Sequence, residues 1–238
     1  MKKTVKRLLW TGIVLLALII IAAFIFLLNF LRATKSMSPS DTSSINDSVW
    51  CIRDRFVNAY IFKGAKSYLM VDAGISKKRF KNEMEKLGIK PDQITTLLLT
   101  HTDGDHTGSI ALYMNAVIYM HCDEEQMING TTGKTKFSKT RWKYGSYNLL
   151  HDNDSLSIGG LKIKLIHTPG HTPGSVCYII GTDYLVSGDN LIVATGKYEH
   201  FTEMFNMNTQ EQTESLKLLP DLHAFKYVLT AHNGVVKI

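Results

Sequence analysis

The stretch "LLLTHTDGDHTGS" (residues 97–109) sets two histidines and two aspartates within six positions, directly behind an apolar run. His101, Asp103, Asp105 and His106 are all competent to bind a metal ion. Taken alone, such a cluster is most often a capped turn, so its meaning depends on what the rest of the chain brings beside it. The preceding "ITTLLLT" (94–100) is a short apolar run suited to a buried strand, and it delivers the chain to His101.

Working outward, strand and helix signals alternate. "FVNAYIF" (56–62) and "SYLMVDAG" (67–74) read as a hairpin about "KGAK", and "SKKRFKNEMEKLGI" (76–89) places Phe80, Met84 and Leu87 on one helical face. Downstream, "SIALYMN" reads as a short helix and "AVIYMH" as a strand. "DSLSIGGLKIKLIHT" and "SVCYIIGTDYLVSGD" each hold two strands around a turn. "NTQEQTESLKLLPDL" (208–222) opens with Asn208 as a helix cap, and "KYVLTAHNG" is a last strand ending at His232. Strands followed by helices in two halves imply layered α/β, with sheets inside and helices outside.

Chemistry-bearing residues recur at the ends of these strands. Asp72 closes "MVDAG", His171 lies in "HTPGHTPGS", Asp189 follows "YLVSGD", and His232 follows "YVLTA". Loops at strand ends converge on one rim of a sheet, where sites are commonly built. Separate loops each offering His or Asp at such a rim describe an assembled metal site better than scattered surface histidines. His167 shares a loop with His171 and is read as structural. His121, His151, His200 and His223 match no motif and are read as surface residues.

"THTDGDHTGS" resembles the H-x-H-x-D-H signature of the metallo-β-lactamase-fold hydrolases. "VDAG", "HTPGHTPGS", "SGDN" and "TAHNG" match that superfamily's other motifs in order, over about residues 50 to 238. The resemblance implies a four-layer αββα sandwich holding two divalent metal ions. One ion would take His101, Asp103 and His171. The other would take Asp105, His106 and His232, with Asp189 bridging the two. It further implies a metal-bridging hydroxide that attacks the substrate, Asp105 as the group that receives its proton, and Asp72 orienting ligands from behind.

Asp103 departs from that pattern, which has histidine at this position. Three aspartates against two divalent ions cancel three of four positive charges, where the usual pattern cancels two. A more neutral centre acidifies water less and favours oxygen-loving ions such as Mn²⁺ or Fe²⁺ beside the family's zinc. The H-x-D-x-D-H spelling resembles the metallo-β-lactamase-like domain of DNA-uptake competence proteins, which puts phosphodiester hydrolysis beside other esters. Two alternatives stay open: an iron-dependent redox enzyme of the same fold, and a degenerate metal-binding protein without turnover. The partners implied are a small-molecule or anionic ester substrate, with nucleic acid only weakly supported.

The N-terminal fifth of the chain has a different character. Residues 8–31 run without a charge, and as a helix at about 1.5 Å per residue they reach roughly 36 Å, enough to cross a hydrocarbon core. A cleaved signal peptide has a shorter apolar region, of about 7 to 15 residues, and a small-residue cleavage site. The reading is therefore an uncleaved signal-anchor. Residues 1–7 carry Lys2, Lys3, Lys6 and Arg7 and are expected to stay cytoplasmic, so the catalytic domain is expected outside a single-pass cytoplasmic membrane span. Residues 32–48, including "ATKSMSPSDTSSINDS", read as a flexible Ser/Thr-rich linker, and residues 49–238 as the metallo-β-lactamase-fold domain.

The net charge of +6 resembles that of a nucleic-acid binder, but residues 1–48 hold 6 Lys/Arg against 2 Asp/Glu and the remainder 21 against 19. Most of the excess therefore belongs to the anchor. Cys51, Cys122 and Cys177 form an odd set without a disulfide framework, and Cys177 in "SVCYII" reads as a core residue. "KTKFSKTRWKYGSY" (134–147) carries Lys134, Lys136, Lys139, Arg141 and Lys143 with no acid, interleaved with Phe137, Trp142 and Tyr144. It reads either as a solvated face or as a flap that meets an anionic substrate.

Overall fold

The computed structural model describes residues 2–135, 138–142 and 145–238. It divides into two compact units, Met1–Met37 and Ser38–Ile238. The first unit is a single helix, α1 (Lys2–Lys35). Its segment Lys6–Lys35, with mean hydropathy 3.1, is long and apolar enough to cross a membrane. Large apolar side chains such as Trp10, Ile19 and Phe26 are exposed along it. Its threonines bond back to the same helix, Thr11 Oγ1 to Arg7 O and Thr34 Oγ1 to Phe30 O, both at 2.9 Å. No polar side-chain partner is needed there from outside the helix.

The second unit is built on two sheets. The first has seven strands in chain order: β1 (Ser43–Asn46), β2 (Val49–Asp54), β3 (Val57–Lys63), β4 (Tyr68–Val71), β5 (Ile94–Leu98), β6 (Val117–His121) and β7 (Tyr147–Leu150). Pairing is antiparallel from β1 to β4 and parallel from β4 to β7. The second sheet uses β8 (Ser155–Ile158), β9 (Leu161–His167), β10 (Val176–Ile180) and β11 (Tyr184–Gly188). A separate ribbon, β12 (Leu191–Ala194) and β13 (Lys197–His200), follows. Then β14 (Tyr227–Thr230) runs parallel to β11, and β15 (Gly234–Lys237) closes the edge.

Three apolar layers hold these sheets in place. Between them, Val71, Leu98 and Tyr60 of the first sheet meet Leu165, Val176, Tyr178 and Leu229 of the second. Outside the first sheet, Phe80 and Met84 of helix α2 (Lys77–Lys86) pack on Ile52, Met70 and Leu97. Outside the second, Leu216, Leu219, Leu222 and Phe225 cover Cys177, Leu185 and Val228. The order helix, sheet, sheet, helix is the αββα sandwich, and because side chains alternate between faces while strands such as β3 and β11 are buried on both, each sheet feeds two layers.

Several sequence expectations need correction. The Ser/Thr-rich stretch 32–48 is not a flexible linker: residues 32–35 continue α1, and from Ser38 the chain folds with the second unit. Ser44 pairs with Trp50 across β1 and β2. Ser40 N donates to Asn58 Oδ1 at 2.9 Å, Asn58 Nδ2 donates back to Ser40 O at 2.8 Å, and Ser38 N donates to His232 O at 2.8 Å. A composition rule sees solvated hydroxyls, whereas what orders this segment is its backbone bonding to an available edge. "KYVLTAHNG" is not the last strand, because β15 follows it. All three cysteines are free thiols, and burial pushes Cys51 and Cys177 up to about 12.

Candidate metal centre

The seven singled-out residues arrive from the C-terminal ends of four strands. After β5 the chain passes His101 and Asp103 and turns into the short helix α3 (Gly104–Thr107), which carries Asp105 and His106. His171 follows β9, Asp189 follows β11, and His232 follows β14. Their ligating atoms fall into two groups, His101/Asp103/His171 and Asp105/His106/Asp189/His232, each within 4.8 Å. Asp189 faces both. Its Oδ1 lies 3.1 Å from His106 Nε2 and from His232 Nε2, and its Oδ2 lies 3.4 Å from His171 Nε2.

What prepares the four histidines is the partner of each Nδ1. His106 Nδ1 lies 2.9 Å from Asp72 Oδ2, and His232 Nδ1 lies 2.7 Å from Phe56 O. His171 Nδ1 lies 3.1 Å from Asn206 Oδ1, and His101 Nδ1 lies 3.1 Å from Thr100 Oγ1. Thr100 Oγ1 spends its own proton on Asp72 Oδ2 at 2.8 Å, so toward His101 it accepts. In each case Nδ1 donates, which leaves the lone pair on Nε2, and all four Nε2 atoms turn into the centre.

The result is a cavity of facing lone pairs. His101 Nε2, His106 Nε2 and Asp189 Oδ1 are buried without a hydrogen-bond partner. Imidazole and carboxylate donors oriented this way suit divalent ions such as zinc, and the stranded buried atoms are satisfied by cations between them. Where no cation lies between them, protons drawn onto the rings meet the same need. Burial disfavours a charged His106, yet Asp189, Asp72 and Asp105 around it raise its pKa well above the usual value. Asp189 resists burial in turn, and the rings of His232, His106 and His171 hold it well below the carboxylate range. His101, buried beside His106, is lowered to about 4.

Two buried carboxylates outside the ligand set shape it. Asp72 accepts from Thr100 N at 2.9 Å as well as from Thr100 Oγ1 and His106. It holds φ at 61°, a left-handed conformation costly for most side chains and tolerated by aspartate. Glu124 does the equivalent for the other group. Its Oε1 accepts from Thr102 N at 2.8 Å and Thr102 Oγ1 at 2.7 Å, and its Oε2 from Thr172 Oγ1 at 2.7 Å and Gly174 N at 3.1 Å. Thr102 sits between His101 and Asp103, and Thr172 follows His171, so this carboxylate ties the loops bearing all three. Burial outweighs the four donors and raises the Glu124 carboxyl. Sequence reading missed it, because nothing in "CDEEQ" marks which acid turns inward.

Two close approaches complete the frame. Gly188, at φ 55°, leaves no room for a Cβ against the Thr100 side chain, so the residue before Asp189 must be glycine. Gly174 meets the Glu124 backbone in the same way.

The remaining histidines and the basic stretch also find their places. His121 is buried, not a surface residue, because it ends β6 under His167, with ring centroids 3.8 Å apart. His167 is structural in position, its Nε2 lying 2.9 Å from Pro173 O. His151 and His223 are exposed. Of the basic stretch, Lys136, Phe137, Lys143 and Tyr144 lie outside the described residues. Trp142 packs against the helix-side core beside Tyr147. Lys134 reaches the centre itself: Nζ pairs with Asp103 Oδ2 and lies 2.9 Å from His171 Nε2.

Comparison with known proteins agrees with this architecture. The chain is 28% identical over 143 residues to a probable metallo-hydrolase, YqgX, of Bacillus subtilis, covering 56% of this chain and 65% of that one. It is 21% identical over 167 residues to the human acyl-coenzyme A thioesterase MBLAC2, covering 56% and 60%. This chain thus spans less than two thirds of the length of these relatives. Among solved structures, the class B3 di-zinc metallo-beta-lactamase LRA-12 from an Alaskan soil metagenome superposes with TM-score 0.64 at 21% identity, over 82% of this chain and 79% of that one. The family model described as "Metallo-beta-lactamase superfamily" matches residues 52–232, from β2 to the last histidine of the centre, and the chain belongs to that superfamily.

Proposed function

We propose that this protein is a membrane-anchored, metal-dependent hydrolase of an ester bond, with two divalent ions held by His101, Asp103 and His171 and by Asp105, His106 and His232, and Asp189 shared between them. The observation that carries the reading is the set of four Nε2 lone pairs, each fixed by its Nδ1 partner, converging on three carboxylates. When bound, the metals supply acidified water and polarisation of the bond to be cut. Zinc follows from the family, while the third carboxylate at Asp103 also admits manganese or iron.

The chain's own groups divide the remaining work. The histidine side chains are only 0 to 3% exposed, whereas Asp103 and Asp105 are 22 and 24% exposed, so the centre opens on the side of these two aspartates. Substrate approaches from there. Asp105 Oδ2, 3.4 Å from His232 Nε2, stands at that opening and is the group placed to take a proton from water. Phe56 and Phe201 each stack on the His232 ring, with centroids at 5.8 and 5.0 Å, and help keep it out of bulk water. Lys134, at Asp103, puts a positive charge beside the centre and favours an anionic ester, a phosphodiester among them. A thioester is the second reading, favoured by the likeness to a named acyl-coenzyme A thioesterase.

The helix α1 supports anchoring, and the basic residues ahead of its apolar stretch favour an orientation with the hydrolase domain on the outer side. A panel of chromogenic phosphodiester, phosphomonoester, thioester, lactone and β-lactam substrates, run with Zn²⁺, Mn²⁺ and Fe²⁺, tests the activity. Metal-dependent turnover of an ester supports it. Iron with a visible absorption band and no hydrolysis would replace it with redox chemistry.

A further inference from the structure

The two groups of the centre are not equivalent, and the difference is Lys134. Its ammonium pairs with Asp103 Oδ2, lies 2.9 Å from His171 Nε2, and donates to Phe205 O at 3.0 Å. It therefore stands among the ligand atoms of the His101/Asp103/His171 group. Among the described residues, Asp105 and Asp189 form ion pairs with histidines only.

His171 makes this arrangement exclusive. Asn206 Nδ2 donates to Gln212 Oε1 at 2.6 Å and to Phe201 O at 3.1 Å, which fixes Asn206 Oδ1 as the acceptor for His171 Nδ1–H. Only Nε2 then has a lone pair, and an imidazole nitrogen has one. That pair goes to the lysine or to a metal. An ion held by His171 would use the one lone pair that the ammonium uses, and two cations cannot share it. Asp103 is the other half of the device. A histidine at 103 would offer the ammonium a lone pair, whereas an aspartate offers it a full negative charge.

We infer that Lys134 is a tethered competitor for the first metal: its ammonium holds the His101/Asp103/His171 position when metal is scarce, and an ion enters that group only by displacing it. The inference rests on the reading that both groups bind metal. It makes the two binding steps unequal, with the Asp105/His106/Asp189/His232 group filling first and the centre working with two ions only at higher metal concentration.

The test is a calorimetric titration with Zn²⁺ of the full chain in detergent, stripped beforehand with chelator. The wild type should bind one ion tightly and a second at least tenfold more weakly. Lys134→Met, which keeps the stem and removes the charge, should strengthen the weaker step tenfold or more and leave the tighter one within twofold. Lys134→Arg should keep the second step weak. Two equal steps in the wild type overturn the inference whatever the variants do, as does a weaker step unmoved in a folded Lys134→Met. Binding of no ion by wild type and variant alike overturns the metal reading itself, and this inference with it.

Discussion

Asp103 is the residue at which this centre departs from the motif it resembles, while the fold stays that of the superfamily. It sits where the resembling motif has histidine, and its carboxylate lies 3.2 Å from His171 Nε2 and 3.5 Å from His101 Nε2. These rings, together with Lys134, hold Asp103 well below the usual carboxylate range in spite of its burial. Replacing it by histidine removes one negative charge from the centre and the anion that draws Lys134 in. Asp103→His should therefore retain zinc more tightly through dialysis, on the order of tenfold, equivalent to about 1.4 kcal/mol. It should also lower the pH at which hydrolysis reaches half its maximum, because a more positive centre acidifies water further. Zinc content after dialysis and a pH–rate profile read the two effects. An unchanged profile with unchanged zinc would remove Asp103 from the ligand set.

At the scale of elements, what the sequence reveals and what it hides divide along a physical line. Strands with clear period-2 or continuous apolar runs, such as β5, β9 and β10, are legible because burial alone selects their residues. The strand-end positions of His101, Asp189 and His232 are legible with them. β1 and β13 are not, because polar strands such as "SSIN" and "KYEH" are held by backbone hydrogen bonds that leave no mark on side-chain pattern. The clamp by Glu124 is hidden for a related reason: its donors, Thr102, Thr172 and Gly174, come together only when the loops after β5 and β9 meet. Glu124→Gln puts an amide NH₂ against donors on one side, and a buried unmatched donor costs about 1–3 kcal/mol. Urea unfolding should show that loss, together with weaker metal binding at the His101 group. His121, at the end of β6, gives a pH signature. Burial and the neighbouring His167 lower its pKa from the usual 6.5 to about 4. The unfolded chain therefore binds the proton first, and the stability His121 contributes is present above pH 6.5 and is lost as pH falls toward 4. His121→Gln should flatten that part of the wild type's pH–stability curve, and a parallel curve would refute the assignment.

For the whole molecule, the candidate centre draws on both sheets. His101, Asp103, Asp105 and His106 hang from β5 of the first sheet, while His171, Asp189 and His232 hang from β9, β11 and β14 of the second. At this rim the apolar layer between the sheets gives way to carboxylates and imidazoles that face one another. Cations bound there would cross-link the two sheets, and since the unfolded chain scatters the ligands, metal would bind the folded state almost alone. Stability should then follow mass action. At free metal a hundred times the dissociation constant, the folded state gains about 2.7 kcal/mol per site, rising by about 1.4 kcal/mol for each further tenfold. Chelator should lower the unfolding midpoint of the full chain in detergent by a matching amount, and added Zn²⁺ should restore it with a logarithmic dependence on concentration. Asp189→Asn weakens the one group that faces both halves, so it should reduce this metal-dependent increment far more than it changes the chelated protein. A midpoint indifferent to metal in a protein that has bound it would mean that the centre forms equally well without the fold, against the convergence of loops that only the two packed sheets provide.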